Sequence, residues 1–288
     1  MRRSIAGLSL VAAVLLAACT NETPNSMFDA AGYHVRADKV YYLNAFPGKA
    51  FEISGADAAS FQALDATYAR DRARVYFDGQ PMAGADPASF QVLARPGYAK
   101  DRGHVYQLDH AISDDPAHFE LLEGSLSKDS AHVYWSDGTV FSDDPAHFAI
   151  VSNTEQYLFT KDARTVHVNG KLVAGADTAT FHVLAGAYAR DRQRIYYFTD
   201  VVANSDAASF RTLDGPYAVD VHHAYWMGKT IPGADPASFR VLNAAFECGA
   251  DAEKAYYRQS VIANADPRSF PHGRNVTGCT ETSITFQD

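Results

Sequence analysis

The sequence predicts a mainly β tandem repeat of about eight units of roughly 30 residues, each about three short antiparallel strands plus one helical turn. Three observations predict it. An Asp followed four residues later by a Phe recurs at Asp57/Phe61, Asp86/Phe90, Asp115/Phe119, Asp144/Phe148, Asp177/Phe181, Asp206/Phe210, Asp235/Phe239 and Asp266/Phe270. The phenylalanines follow one another at 29 residues, with two longer steps of 33 and 31, and GADPASF stands unaltered at both Gly84–Phe90 and Gly233–Phe239. A second element interleaves with the first: YARDRARVYF at Tyr68–Phe77, YAKDRGHVYQ at Tyr98–Gln107, YARDRQRIYY at Tyr188–Tyr197 and YAVDVHHAYW at Tyr217–Trp226. Looser copies begin at His34, Leu126, Leu158 and Cys248. The third observation is composition: aromatic residues make up 12%, and the 16 tyrosines lie in or beside the second element, which favours strands over helices.

Each element has a chemical reason. In Asp-Pro-Ala-Ser-Phe the Asp suits a helix cap, its carboxylate accepting from the free amides that follow. Pro is pre-set for the first helical position, and Phe pins the turn to the core. A short apolar strand such as FQVL or FRVL follows, and then Tyr-Ala-Lys/Arg-Asp as a second. The tetrad led by that Asp reads as a turn closed by its own side chain. The next alternating segment, HVYQ or RVYF, is a third strand. A Gly or polar pair and one apolar residue (Met82, Ile112, Val173 or Ile231) lead to the next corner. Such a unit cannot bury its own apolar face, whereas stacked copies can. An open, twisted β-array is the favoured arrangement, because propeller blades run to about 40 residues or more; propeller-like closure is the alternative. Cys248 and Cys279 form the simplest disulfide pair, stapling the tail at 271–288 over the last unit as a C-terminal cap, and open arrays need caps.

The ends of the chain speak to location. Arg2 and Arg3 precede an apolar run from Ile5 to Ala18 that is short for a membrane span and shaped as a signal peptide, residues 1–18. The run ends in Leu16-Ala17-Ala18-Cys19, which resembles the lipobox of bacterial lipoproteins. That resemblance implies lipid attachment at Cys19, an anchor to the membrane, and, with Thr20 rather than Asp after the Cys, an outer-membrane lipoprotein facing periplasm or exterior. Residues 19–32 then read as lipidated Cys and polar tether, and 33–270 as the repeat domain. The formal charge is −9, and removing residues 1–18 takes away Arg2 and Arg3 and no acid, leaving −11. A net-negative chain whose basic runs are interrupted by Asp does not suit nucleic acid.

The consensus Tyr-Ala-Lys-Asp-x-x-x-Val-Tyr-Tyr followed by Gly-Ala-Asp-Pro-Ala-Ser-Phe resembles the DKNYY family of bacterial envelope proteins. The nearest match to the core of that name is Asp38-Lys39-Val40-Tyr41-Tyr42, with Val in place of Asn; most other copies carry Asp-Arg and two extra residues before the Tyr. The resemblance runs from Tyr33 to about Phe270. It implies a repeat protein of the envelope and carries over no catalytic residues.

Candidate chemistry is weighed against repetition. SDDPAHF at Ser113–Phe119 and Ser142–Phe148 lacks the spacing of a calcium loop and reads as a capped corner with a solvated neighbour. His118 and His147 share one repeat slot, and His104 and His132 another; a metal would need further ligands, and other copies place Ser, Thr or Arg there. Asp71, Asp101, Asp191 and Asp220 recur too regularly for a catalytic pair and fit turns. No nucleophile, zinc or phosphate-loop motif is present, so no enzyme activity and no cofactor are expected. Tyr76, Tyr106, Tyr134, Tyr196, Tyr225 and Tyr256 recur at one slot. Exposed, they would form a ladder to stack on sugar rings; buried, they would be the core between units. The expectation is a lipid-anchored scaffold for an envelope protein partner. A glycan- or peptidoglycan-binding module using the tyrosines is the alternative, and a hydrolase of envelope polymers a third reading.

Overall fold

The computed structural model describes residues 23–287. Eight small antiparallel sheets succeed one another along the chain, and a two-stranded hairpin follows them. The first sheet has three strands, Gly32–Arg36, Lys39–Leu43 and Ala50–Glu52; the other seven have four each. In every sheet the strands lie in chain order and none closes into a barrel. The chain divides into two compact units, one ending at Ala117 with three sheets, the other beginning at His118 with five sheets and the hairpin.

The second sheet shows why these residues take this form. Its strands are Gln62–Ala63, Tyr68–Arg70, Val75–Phe77 and Gln80–Pro81. The central pair sets Tyr68 opposite Phe77, Ala69 opposite Tyr76 and Arg70 opposite Val75. Asp78 and Gly79 make the hairpin turn with φ of 46° and 76°, the doubly left-handed turn that Asp-Gly suits. A Cβ on Gly79 would come within 2.6 Å of Tyr42 Cβ, so glycine is required for space as well. Most units gain a fourth strand beyond the expected three because the two residues after the turn also pair, Phe77 with Gln80 and Tyr76 with Pro81. Pro81 is tolerated there because the strand is an edge.

The Asp-Pro-Ala-Ser-Phe corner is a single capped turn. Asp86 Oδ1 accepts from the Ala88 amide (3.1 Å) and Asp86 Oδ2 from the Ser89 hydroxyl (2.6 Å). Among the described residues, only the last corner is a regular 3₁₀ helix, Pro267–Ser269 capped by Asp266. The corner Phe is a core residue in four copies, Phe90, Phe181, Phe210 and Phe239, and half-buried at Phe61, Phe119, Phe148 and Phe270. Phe90 lies 5.6 Å from Tyr68 of the preceding sheet and 5.7 Å from Tyr106 of its own. Phe210 stands in the same way between Tyr188 and Tyr225, and Phe239 between Tyr217 and Tyr256.

The end of the chain folds as a hairpin of Val276–Cys279 and Ile284–Phe286. Cys279 and Ile284 pack against the last sheet beside Ala250, Ala255 and Ile262. Cys248 and Cys279 are disulfide-bonded, and the Asn243 amide donates to the Val276 carbonyl at 2.9 Å. At the other end, part of the expected tether is ordered. Asn25 bridges to Lys49, and residues 25–29 form a turn pinned by the Arg36–Asp29 ion pair at 3.2 Å.

Candidate functional site

The repeated polar residues converge on one node per copy. Asp71 leads a turn in which its Oδ1 accepts from the Ala73 and Arg74 amides at 2.7 and 2.8 Å. Its Oδ2 accepts from the Tyr76 hydroxyl at 2.7 Å and from the amide of Asp57, the corner residue, at 3.0 Å. One carboxylate thus ties turn, strand and corner together. Asp101, Asp191, Asp220 and Asp251 make the same four bonds in their copies. Burial pushes these carboxyls up, but the hydrogen bonds outweigh it and hold them below the usual carboxylate range. Burial first, and then the bonded carboxylate, push the Tyr76 and Tyr196 phenols up to about 12. A phenol held neutral beside a carboxylate that is already full of donors is suited to structure, not to attack on a substrate.

The variants of this node explain the sequence oddities. In the Ser-Asp-Asp corner, Ser142 relays the link: its hydroxyl donates to Asp162 Oδ2 (2.8 Å) and accepts from the Asp144 amide (3.2 Å). The second acid, Asp143, is exposed and pairs with Arg164. His147 takes the place of the corner Ser, its Nδ1 lying 2.7 Å from Asp144 Oδ1. His104, His132 and His223 each sit beside the Tyr hydroxyl of their own copy, with Nδ1 3.5, 3.5 and 3.3 Å away. Among the described residues, no three His, Cys, Asp or Glu side chains gather as a set able to hold a metal.

The six tyrosines are buried, which is the core reading of that slot and not the ligand ladder. Tyr76, Tyr196, Tyr225 and Tyr256 are 0% exposed, Tyr106 2% and Tyr134 3%. Their rings are packed on the corner phenylalanines, so no sugar ring can stack on them. The alternating pattern could not assign a face because both faces are inside: Val75, Val105 and Ile195, next to these tyrosines, are also fully buried. Cys19 lies outside the described residues.

An open groove lies in the first unit. It has a volume of about 610 Å³ and runs between the second sheet and the third, whose strands are Gln91–Val92, Tyr98–Lys100, Val105–Gln107 and His110–Ser113. Phe77, Val92, Leu93 and Leu108 line it, with Asp65 and Asp78 contributing the charge. Its walls are fixed from below by Tyr68, whose hydroxyl reaches the carbonyls of Gly97 (3.0 Å) and Leu108 (2.7 Å). Asp65 is oriented by the Thr67 and Tyr68 amides, at 2.7 and 2.6 Å, and Asp78 by the Tyr42 hydroxyl at 2.6 Å. Leu108 occupies a hairpin turn at φ 56° and remains exposed, in the slot that other copies fill with Asp78, Asn169, Phe198, Met227 or Arg258. Sequence gives no signal that singles it out, since the same turn slot is also apolar at Phe198 and Met227.

Tandem four-stranded sheets joined by capped aromatic corners, with the polar groups spent on the joints, define a β-repeat protein. The model of the DKNYY family matches residues 33–83, 68–200 and 198–260, and the chain belongs to that family. No curated protein and no solved structure matches it.

Proposed function

We propose that this is a lipid-anchored, non-enzymatic envelope protein that serves as an interaction scaffold for a protein partner. The groove beside Leu108 carries the reading. It offers apolar walls and two oriented carboxylates on a frame of paired strands, which suits an extended segment bearing apolar side chains and a cation. The repeated Asp and Tyr groups support the non-enzymatic part, since each is occupied in holding its own copy together. With the tyrosines buried, the glycan reading has lost the feature that suggested it. The anchor rests on Cys19 in its lipobox context, and the outer membrane is its proposed location.

A photo-crosslinking amino acid placed at Leu108 in living cells tests the scaffold. A discrete protein adduct from Leu108, and none from a probe at the equally exposed Val261, is expected. The same adducts from both positions, or none from either, refute a binding groove. The anchor is tested separately by Cys19→Ser, which should release the protein from the membrane fraction; retention there refutes lipid attachment.

A further inference from the structure

The three most exposed large apolar side chains among the described residues are Phe28 (84%), Met27 (70%) and Phe46 (69%). Met27 and Phe28 occupy the turn at residues 25–29, and Phe46 occupies the turn between Leu43 and Ala50. The two turns are neighbours, joined by the bridge between Asn25 and Lys49. Neither is a loose loop. Asn25 accepts from the Met27 amide through its side chain (2.9 Å) and from the Phe28 and Asp29 amides through its carbonyl (2.9 and 2.8 Å). Asp29 returns the contact by accepting from the Asn25 amide at 2.9 Å, and Arg36 ties it to the first sheet. In the second turn Gly48 donates to the Ala45 carbonyl at 2.7 Å, and the Asn44 side chain donates to the Lys49 carbonyl at 3.1 Å. The main chain thus presents two phenylalanines and a methionine to the outside, with the exposed Lys49 beside them.

Elsewhere the exposed large apolar residues are less exposed, as at Val221 (61%), Val140 (56%) and Leu172 (52%). The concentration at the N-terminal turns coincides with their place in the chain. From Cys19 to Asn25 is six residues, a reach of about 20 Å when extended. We propose that these turns are a membrane-contacting tip: Phe28, Phe46 and Met27 enter the headgroup region of the bilayer in which the anchor sits, and Lys49 meets the phosphates. This inference rests on the proposed lipid attachment at Cys19. A single set of acyl chains leaves a protein free to swing about its tether, whereas a second, apolar contact fixes its first sheet against the bilayer.

The test uses the full lipidated protein in vesicles of phosphatidylethanolamine and phosphatidylglycerol, with and without brominated acyl chains. Phe28→Trp and Phe46→Trp are compared with Val261→Trp, and the emission of unaltered protein is subtracted to remove Trp135 and Trp226. Labelled palmitate on Cys19 is measured in the same preparations. The expected result is label present, with emission from both N-terminal tryptophans lost in brominated vesicles while that of Val261→Trp persists. Label present with no loss at residues 28 and 46 beyond that at 261 overturns the tip and leaves the anchor standing. Absence of label refutes the anchor, and the tip falls with it because its placement at the bilayer comes from the anchor.

Discussion

Replacing Asp191 by Asn tests whether a carboxylate is the hub of each copy. Asp191 accepts from the Gln193 and Arg194 amides (both 2.8 Å), the Tyr196 hydroxyl (2.6 Å) and the Asp177 amide (3.0 Å). In Asp191→Asn one oxygen keeps the two turn amides, but an NH₂ group then faces Tyr196 and Asp177. The phenol can rotate to accept; the Asp177 amide cannot. An unsatisfied buried donor costs about 1–3 kcal/mol, and the weakened phenol bond adds about 1 kcal/mol, so the expected loss is about 2–4 kcal/mol. Tyr196→Phe removes only the phenol bond to a charged acceptor and leaves three amide donors in place, at about 1.5–3 kcal/mol. Because a repeat array unfolds in local steps, the assay is hydrogen exchange on the peptide spanning residues 188–200, accompanied by urea unfolding. Faster exchange confined to this copy and its neighbours is expected, larger for Asp191→Asn than for Tyr196→Phe. Protection of Asp191→Asn within about 0.5 kcal/mol of the parent, below the cost of a lost hydrogen bond, would refute the carboxylate hub.

Acid should unfold the protein through the same groups. The carboxyls of Asp71, Asp101, Asp191, Asp220 and Asp251 are lowered in the fold. Their contribution is therefore intact above the unfolded-chain value of about 3.9 and is lost as the pH falls past it towards the folded values. Urea midpoints should be flat from neutrality to about pH 5 and drop steeply below about pH 4; a steady decline from neutrality would contradict this. Reduction of Cys248–Cys279, which are 31 residues apart, should loosen the C-terminal hairpin at a cost of about 3–4 kcal/mol in the chain-entropy treatment. An unchanged exchange rate in residues 276–286 under reductant would remove the staple.

The repeat was legible because its energetic necessities are written as letters. Asp-Pro-Ala-Ser-Phe names a cap, a turn and a core ring in order, and Phe90 does sit between Tyr68 and Tyr106. The turn role of Asp71 was legible for the same reason, since an Asp at that place recurs copy after copy. The fate of Tyr76 was not. Period-two alternation separates an inside face from an outside face only when one face is wet, and here Val75 and Tyr76 are both buried. The fourth strand was also hidden, because two residues such as Gln80 and Pro81 carry no periodicity. The groove was illegible for a different reason. Its lining residues come from strand ends, loops and turns of two copies, and their meeting depends on where one sheet lies on the next. The ordered turn at residues 25–29 looked like a linker because most of the segment 20–29 is polar; polarity there serves side-chain bonds to backbone, as Asn25 and Asp29 show.

The link made by Tyr33, Tyr68 and Tyr188, the first tyrosines of their strand pairs, has a consequence for how such chains change. Tyr33 donates to the Thr67 carbonyl and receives the Gly79 amide; Tyr188 donates to the Pro216 carbonyl and receives the Gly228 amide. In each case the partner in the next copy is main chain. A hydroxyl that recognises only backbone does not ask which side chains its neighbour carries, so this bond places no demand on which copy follows. Duplication or deletion of whole copies by unequal recombination then leaves the backbone-directed bonds of such joints available, and surface loops are free to diverge between copies while the joint residues stay. The expected outcome is a lineage in which copy number varies readily, with a partner-binding surface changed by adding or removing modules, not by remodelling the frame.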